Sequence, residues 1–495
     1  MKTYLMVDPY HDYAARFIEH IFRTYGYRAL CACTDRRRRA CEAKDYPVLR
    51  TKAVARHDEI LPDEIGSWAL RMAERYEILG VVAFGEETVL PAATITEALQ
   101  LKWNRPEVLR RFRDKYSLKE HLRTADPTLR INGSMRVTLE DFPQEAPYER
   151  FVLKPNDGFA GRSIGIFDRR SPRREIDDYL RAAQGGEVVL EEYVDGEEYF
   201  VNGQVDGDGN STVFGIFRYH RVSANGQPRV MYRIDMVHRG DRVFEPLKRY
   251  AIQMMRASGL RRSPFHLEAK VDQQGPCLIE CGARLGGHGT AFVCNDAHGG
   301  EIDVFAVAAH DYLHDTPQTI PLRWDIYEAL DVRYVDAIAS GKKFVRGRPG
   351  IAAVQKMPTF HSWAIKPRVG VSTRTTRDCL SMPYSAVLIG PRGTDLDRDE
   401  AAVRRAMGAQ ATGLAGAGVR AAALANRIGH ALSWRTSWLR SWFEGRLLPG
   451  LLDRLRALRF RLDRELESPL AAPTAQLSAA GIPTSADQPS LDTAQ

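Results

Sequence analysis

The sequence predicts an α/β chain that becomes α+β in its central part, with a Rossmann-like leader, two central sheet subdomains, a small closing subdomain and a helical tail. Three observations carry this. Strand-like and helix-like patterns alternate through the first hundred or so residues, which implies a parallel sheet. Two hairpin patterns follow, 199–218 around Asp206-Gly-Asp-Gly-Asn210 and 265–281 around Asp272-Gln-Gln-Gly275. From residue 401 the composition shifts to Ala, Gly and Arg.

Residues 3–8 read as a short buried strand. Ala14, Phe17, Ile18, Ile21 and Phe22 follow at helical spacing, and Gly26 ends that pattern. Segments 27–33 and 79–84 read as strands and 89–101 as a helix. No GxGxxG follows the first strand, which argues against a dinucleotide site. One amphipathic helix is expected over 106–125, with Pro106 near its first turn. Strands are expected at 151–155 and 188–194, with a glycine-rich loop and a polar helix (173–183) between them. A helix at 245–258, the 265–281 hairpin, a helix at 300–312 and short strands at 351–357 and 384–390 complete the pattern. Residues 432–464 are basic and amphipathic, and Trp434, Trp438 and Trp442 share one helix face. The expected units are 1–105, 106–190, 191–330, 331–400, a helical region 401–464 and a disordered tail 465–495.

A chain of 495 residues is too long for a single core. Its 44% hydrophobic and 27% charged content is that of a soluble globular protein. A net charge of +7 favours anionic ligands without indicating nucleic acid. No apolar run reaches the roughly 18 residues of a membrane span, and the apolar stretch at the N-terminus is too short for a signal peptide. The seven cysteines show no paired CxxC spacing, so free thiols in a reducing cytoplasm are expected, Cys281 among them as a packing residue. The run Arg36–Arg39 reads as a solvated face.

The chemistry concentrates in three segments. His266-Leu-Glu268 and Ile279-Glu280 end adjoining hairpin strands, and two such carboxylates can share a hard divalent cation that also holds phosphate. Arg284, in the turn Ala283-Arg284-Leu-Gly286-Gly287, adds a planar fork for phosphate or carboxylate. Upstream, Lys154 leads into a loop with Gly158, Gly161, Ser163 and Gly165, where backbone N–H groups can approach phosphate oxygens. Between them, Glu191-Glu-Tyr-Val194-Asp-Gly-Glu-Glu198 ends a strand with acceptors suited to a purine amine and a ribose.

In order and spacing these motifs resemble the ATP-grasp superfamily of carboxylate–amine ligases over roughly residues 1–400, and Ile279-Glu280-Cys281-Gly282-Ala283-Arg284-Leu285-Gly286-Gly287 is like the corresponding stretch of L-amino-acid ligases. The resemblance implies ATP and Mg²⁺, or Mn²⁺, as cofactors. Lys115 and Lys154 would contact ATP phosphates, and Gly161, Ser163 and Gly165 would cover them. Glu191 would accept from the adenine amine, the backbones of Tyr193 and Val194 would meet the ring, and Glu198 would hold the ribose. Glu268 and Glu280 would bind the metal. Arg284 would contact the acyl phosphate or the substrate carboxylate. Arg233, His238, Gly286, Gly287 and His288 would touch substrate. One position departs from the pattern: many members have asparagine two residues after the second metal glutamate, where this chain has Gly282. A water or phosphate oxygen would then fill that coordination position, or metal affinity would be weaker.

The implied reaction joins a small-molecule carboxylate to an amine through an acyl phosphate, giving a dipeptide or amino-acid conjugate. Two alternatives stay open: carboxylation through carboxyphosphate, and a non-catalytic ATP-binding scaffold whose tail meets a membrane surface or a partner. The tail helix packed on its own catalytic domain, or in a homodimer, is preferred over membrane contact.

Overall fold

The protein is described as a computed structural model covering residues 2–408, except 10–11, 35–46, 159–162, 184–186, 291–292, 294–303, 314–328, 340–347 and 370–373. The chain opens with β1 (Lys2–Val7), α1 (Asp12–Tyr25), β2 (Arg28–Cys33), β3 (Val54–Ile60), α2 (Ile65–Ala73), β4 (Glu77–Val82) and α3 (Val89–Ala98). The four strands form a parallel sheet in the order β3-β2-β1-β4. β1 and β2 bury nearly every residue, as strands covered on both faces do. The apolar positions of α1, Phe17, Ile18 and Ile21, are fully buried against them. β3 and α2 escaped the sequence reading because Val-Ala-Arg-His-Asp-Glu-Ile lacks an apolar run; it is an edge strand, where charged side chains are favoured.

The expected helix at 106–125 is two helices, α4 (Pro106–Arg113) and α5 (Lys115–Ala125). Asp114 leaves the helical region at φ −114°, ψ 101°, and its carboxylate accepts from the Ser117 N–H at 2.8 Å. It therefore caps the second helix as an Asp N-cap does, and sets Lys115 at that helix's first position. Next come β5 (Ser134–Val137), β6 (Arg150–Pro155), β7 (Gly165–Asp168), α6 (Arg173–Ala182) and β8 (Val188–Glu192). Their antiparallel sheet runs β5-β8-β6-β7.

The remaining elements are β9 (Glu197–Val205), β10 (Ser211–Ala224), β11 (Gln227–Met236), α7 (Phe244–Ser258), β12 (Ser263–Asp272), β13 (Gly275–Gly282), α8 (Val304–Leu313), β14 (Leu330–Asp336), α9 (Arg348–Gln355), β15 (Phe360–Ile365), β16 (Ser385–Pro391) and α10 (Leu396–Gly408). The strands form one eight-stranded sheet, β13-β12-β9-β10-β11-β14-β16-β15. β14–β16 thus extend the hairpin sheet through the β11–β14 pairing, while keeping a small core of their own that includes Val335, Tyr384 and Leu396.

The strand expected at 351–357 is a helix: 351–355 lie in α9. The run Ile-Ala-Ala-Val is too short to distinguish the two by pattern. Ile351 and Val354, one helical turn apart, are both buried, Val354 in the core shared with Val403 of α10. The tail beyond residue 408, with its tryptophan stripe, and the run Arg36–Arg39 lie outside the described residues. Among the described residues no helix is long and apolar enough to cross a membrane.

Candidate active site

A cavity of about 910 Å³ opens between the three sheets. Its floor is the β12–β13 hairpin. Glu268 and Glu280 are direct register partners there, so their side chains share one face. Immediately beyond, Ala269 pairs with Leu278, which leaves Ile279 as an extra residue on β13. Such bulges recur beside active sites because they free a backbone group. Here the Ile279 carbonyl accepts from Lys154 Nζ at 3.1 Å, tying β6 to the hairpin. Lys115 Nζ reaches the same place, 3.5 Å from Glu280 Oε1, while donating to the Asn156 and Gly158 carbonyls.

Glu268 Oε1 accepts from the Tyr219 hydroxyl at 3.1 Å and lies 3.4 Å from His266 Nε2. Burial pushes its carboxyl upward, but His266, Arg221 and Tyr219 outweigh that and hold it at about 2. Among the described residues no three His, Cys, Asp or Glu side chains cluster closely enough to form a metal cage. Two facing carboxylates with open space above them suit a cation that takes its remaining oxygens from phosphates and water, as magnesium does.

Glu191 and Glu198 line the cavity and both meet cations of the protein itself. Glu191 is 2% exposed and lies between Lys119 Nζ (2.6 Å) and Lys154 Nζ (3.0 Å). Burial raises its carboxyl, but Lys119 and then Lys154 overcome this and hold it at about 2. Each of its oxygens lies within ion-pair distance of a lysine, so it orients Lys154, while Oε1 accepts no hydrogen bond among the described residues. Glu198 accepts from Arg221 on one oxygen and from Arg229 on the other, so a ribose would meet the arginines as well as the carboxylate. In the hinge, the Tyr193 N–H donates to the Arg150 carbonyl at 3.0 Å and the Val194 carbonyl accepts from Lys270, so two backbone groups already have protein partners. The Tyr193 ring lies between Arg150 and Lys270, with the cations 4.0 and 4.2 Å from its centroid.

Of the loop residues, Ser163 takes a left-handed φ of 53° and Gly165 opens β7; Gly161 lies outside the described residues. Gly287 and His288 line the cavity. Gly286 packs beneath it, where a Cβ would come within 2.6 Å of Asn202 and Thr290 side-chain atoms. Arg233 and His238 are not brought there. Arg233 pairs with Asp235 at 3.0 Å and faces Asp397 and Glu400, joining β11 to α10, and His238 binds Asp331 at 2.7 Å. Cys281 is 2% exposed in the core.

Glu86, just after β4, is the residue the sequence reading missed. Its buried carboxylate accepts from Arg113 at 2.8 Å and pairs with Arg284 at 2.7 Å. Burial raises its carboxyl, but Arg284 and then Arg113 bring it below the ordinary value. A Cβ on Gly282 would lie 2.3 Å from Glu86 Oε1. The missing side chain at 282 therefore leaves no gap: a carboxylate from the leader sheet fills the space and holds Arg284. A Glu-Glu dipeptide in a polar turn gave no signal of this, because its partners are 27 and 198 residues away.

A family model described as "ATP-grasp domain" matches residues 148–291, from just before β6 to just beyond His288. Residues 148–291 are thus similar to ATP-grasp domains. Dapdiamide A synthase of Enterobacter agglomerans is 26% identical over 259 residues, which is 50% of this chain and 60% of that relative's length. The L-amino acid ligase of Bacillus licheniformis superposes with a TM-score of 0.63 at 17% identity, covering 81% of this chain and 97% of the other. N5-carboxyaminoimidazole ribonucleotide synthetase from Thermotoga maritima superposes at 0.56 and 13% identity, over 82% and 98%. At these identities the structural likeness establishes the fold. The ATP-grasp match contains Lys154, the Glu191–Glu198 hinge, Glu268, Glu280 and Arg284; Lys115 and Glu86 come from outside it.

Proposed function

We propose that the protein is an ATP-dependent carboxylate–amine ligase that forms an amide through an acyl phosphate, releasing ADP and phosphate. The observation that carries this is the convergence of Glu268, Glu280, Lys154 and the Glu86-held Arg284 on one cavity, with Lys115 reaching Glu280. The similarity to an L-amino acid ligase and to dapdiamide A synthase supports the same reading.

In this reading Lys115 and Lys154 neutralise and orient the phosphates, and Glu268 and Glu280 hold magnesium, which when bound offsets charge developing on the transferred phosphoryl group. Ser163, Gly165 and Gly161 belong to the loop over the phosphates. Tyr193 and Val194 flank the adenine, with Glu198 and its arginines near the ribose. Arg284 binds the carboxylate as it becomes an acyl phosphate, and a preorganised guanidinium is suited to that developing charge. No side-chain nucleophile is needed.

The test is ADP release from MgATP with pooled amino acids as both carboxylate and amine donors, followed by mass spectrometry of the product. Amide products are expected. ADP release that depends on bicarbonate instead would make the protein a carboxylase, and a folded protein without ATP turnover on any pair would overturn the ligase reading.

A further inference from the structure

The turn that carries Arg284 goes on to His288, a non-glycine residue at φ 58°, in the left-handed region that costs a side-chain-bearing residue free energy unless its surroundings enforce it. What lies behind it is Asp336, at the end of β14. Asp336 is fully buried, and among the described residues neither of its carboxylate oxygens has a hydrogen bond of good geometry, nor does the hydroxyl of Ser385, its register partner on β16. Among the described residues His288 Nε2 is also buried without one, 4.0 Å from Asp336 Oδ1. Buried polar groups in native proteins are nearly always satisfied, so two orphaned groups facing each other call for an explanation. Asp336 is not among the cavity's lining residues, whereas His288 is. The imidazole therefore stands between a buried carboxylate and the space where Arg284 would hold the acyl group.

We propose that His288 is the base that takes the proton from the attacking ammonium, with Asp336 as its positioning residue. This rests on the ligase reading. An amine substrate is an ammonium at neutral pH and cannot attack until it loses a proton. One ammonium proton passes to His288. The free amine nitrogen then bonds to the acyl carbon, and the carbon–oxygen bond to phosphate breaks with its electron pair. The second nitrogen proton leaves with the phosphate. The imidazolium formed on His288 becomes an ion pair with ionised Asp336, the carboxylate's role behind histidine in other proton-transfer sites.

The electrostatics agree with this geometry. Burial pulls the His288 imidazole below its ordinary value; Asp336 of β14 opposes this and His266 of β12 adds to it, so a neutral imidazole is favoured. Burial raises the Asp336 carboxyl, opposed by His288, by Ser385 of β16, by Arg404 of α10 and by Arg221 of β10. Each group alone resists charge; with Asp336 ionised, a proton arriving on His288 turns a lone buried anion into an ion pair.

The test compares two nucleophiles with the intact protein, MgATP and the amino-acid pool. One arm measures amide formation from amino acids. The other adds hydroxylamine, which is unprotonated at neutral pH and traps acyl phosphate as hydroxamate without a base. The ratio of amine-dependent to hydroxylamine-dependent rate should fall on the order of 10²-fold in His288→Gln, the low end of general-base contributions. It should fall by about tenfold in Asp336→Asn, which keeps the buried volume, and the acid limb of the amine-dependent pH profile should shift in that variant. An unchanged ratio, or equal losses in both arms, overturns the base. Wild-type protein that forms no hydroxamate overturns the ligase reading and the base with it; wild-type hydroxamate formation with a normal ratio in His288→Gln overturns the base alone.

Discussion

The two ends of the cavity bury carboxylates on opposite terms. At the lysine end two buried carboxylates have two cations each: Glu191 has Lys119 and Lys154, and Glu198 has Arg221 and Arg229. Glu86, beside Arg284, follows the same pattern with Arg113 and Arg284. All three are held below the ordinary carboxylate value. Behind the other end, Asp336 lies 4.0 Å from an imidazole with no Lys or Arg paired to it among the described residues, and Asp311, on α8, accepts from the Gln204 amide. Burial raises both, Asp311 to about 7. Desolvation acts alike on all five groups, so the partner decides the outcome. Cations fix a permanent charge that can orient lysines and arginines. A neutral partner leaves a proton free to move.

The largest expected effect breaks the lysine end. Glu280→Ala removes one of the two facing carboxylates, and ADP release should fall by at least roughly 10³-fold with the fold intact by circular dichroism, on the scale of losing a group that acts on transition-state charge. Retained turnover would remove the metal assignment. Glu191→Gln leaves Lys119 and Lys154 buried without a counter-charge, and stability measured by urea unfolding should drop by about 3–5 kcal/mol. A loss under about 1 kcal/mol would mean the lysines swing to solvent and the pairing is incidental.

A smaller effect sharpens the exchange between leader and hairpin. Gly282→Asn introduces the residue common among the ATP-grasp proteins that the chain resembles but drives its Cβ into Glu86, so destabilisation of about 1–3 kcal/mol is expected from overpacking. Gly282→Asn combined with Glu86→Ala should recover part of it, and a double variant no better than the single one would separate the two positions. The mildest effect lies at Asp311. Its proton is bound more tightly in the folded chain than in the unfolded one, where the value is about 4. Its contribution is therefore complete at low pH and is lost as pH rises through about 7. Asp311→Asn should raise stability by about 1–3 kcal/mol at pH 8 and change little at pH 4; equal effects at both would show that the carboxyl does not titrate there.

Three of the four parallel leader strands, the central hairpins, Lys154 at its strand end and the paired glutamates were legible because each is local: a buried run, a turn residue, a strand end. The helix break at Asp114 was missed, although Asp114 followed three residues later by a free N–H is a capping arrangement. The short run at 351–354 was misread as strand because four apolar residues satisfy either period. Arg233 and His238 were placed by analogy of position along the segment, and their acidic partners Asp235, Asp397 and Asp331 draw them to the sheet's other contacts.

The sequence by itself determined the order of motifs, the alternation that makes the leader sheet, and the two carboxylates that must face each other once β12 pairs with β13. Those depend on residues within one or two turns or one hairpin of each other. The tertiary structure alone decided which charges meet. It brought Glu86 across 198 residues to Arg284 and into the space above Gly282. It also committed Glu191 to two lysines and set Asp336 behind His288. An ion pair depends on distance and burial, and neither is written in the spacing of residues that lie far apart along the chain.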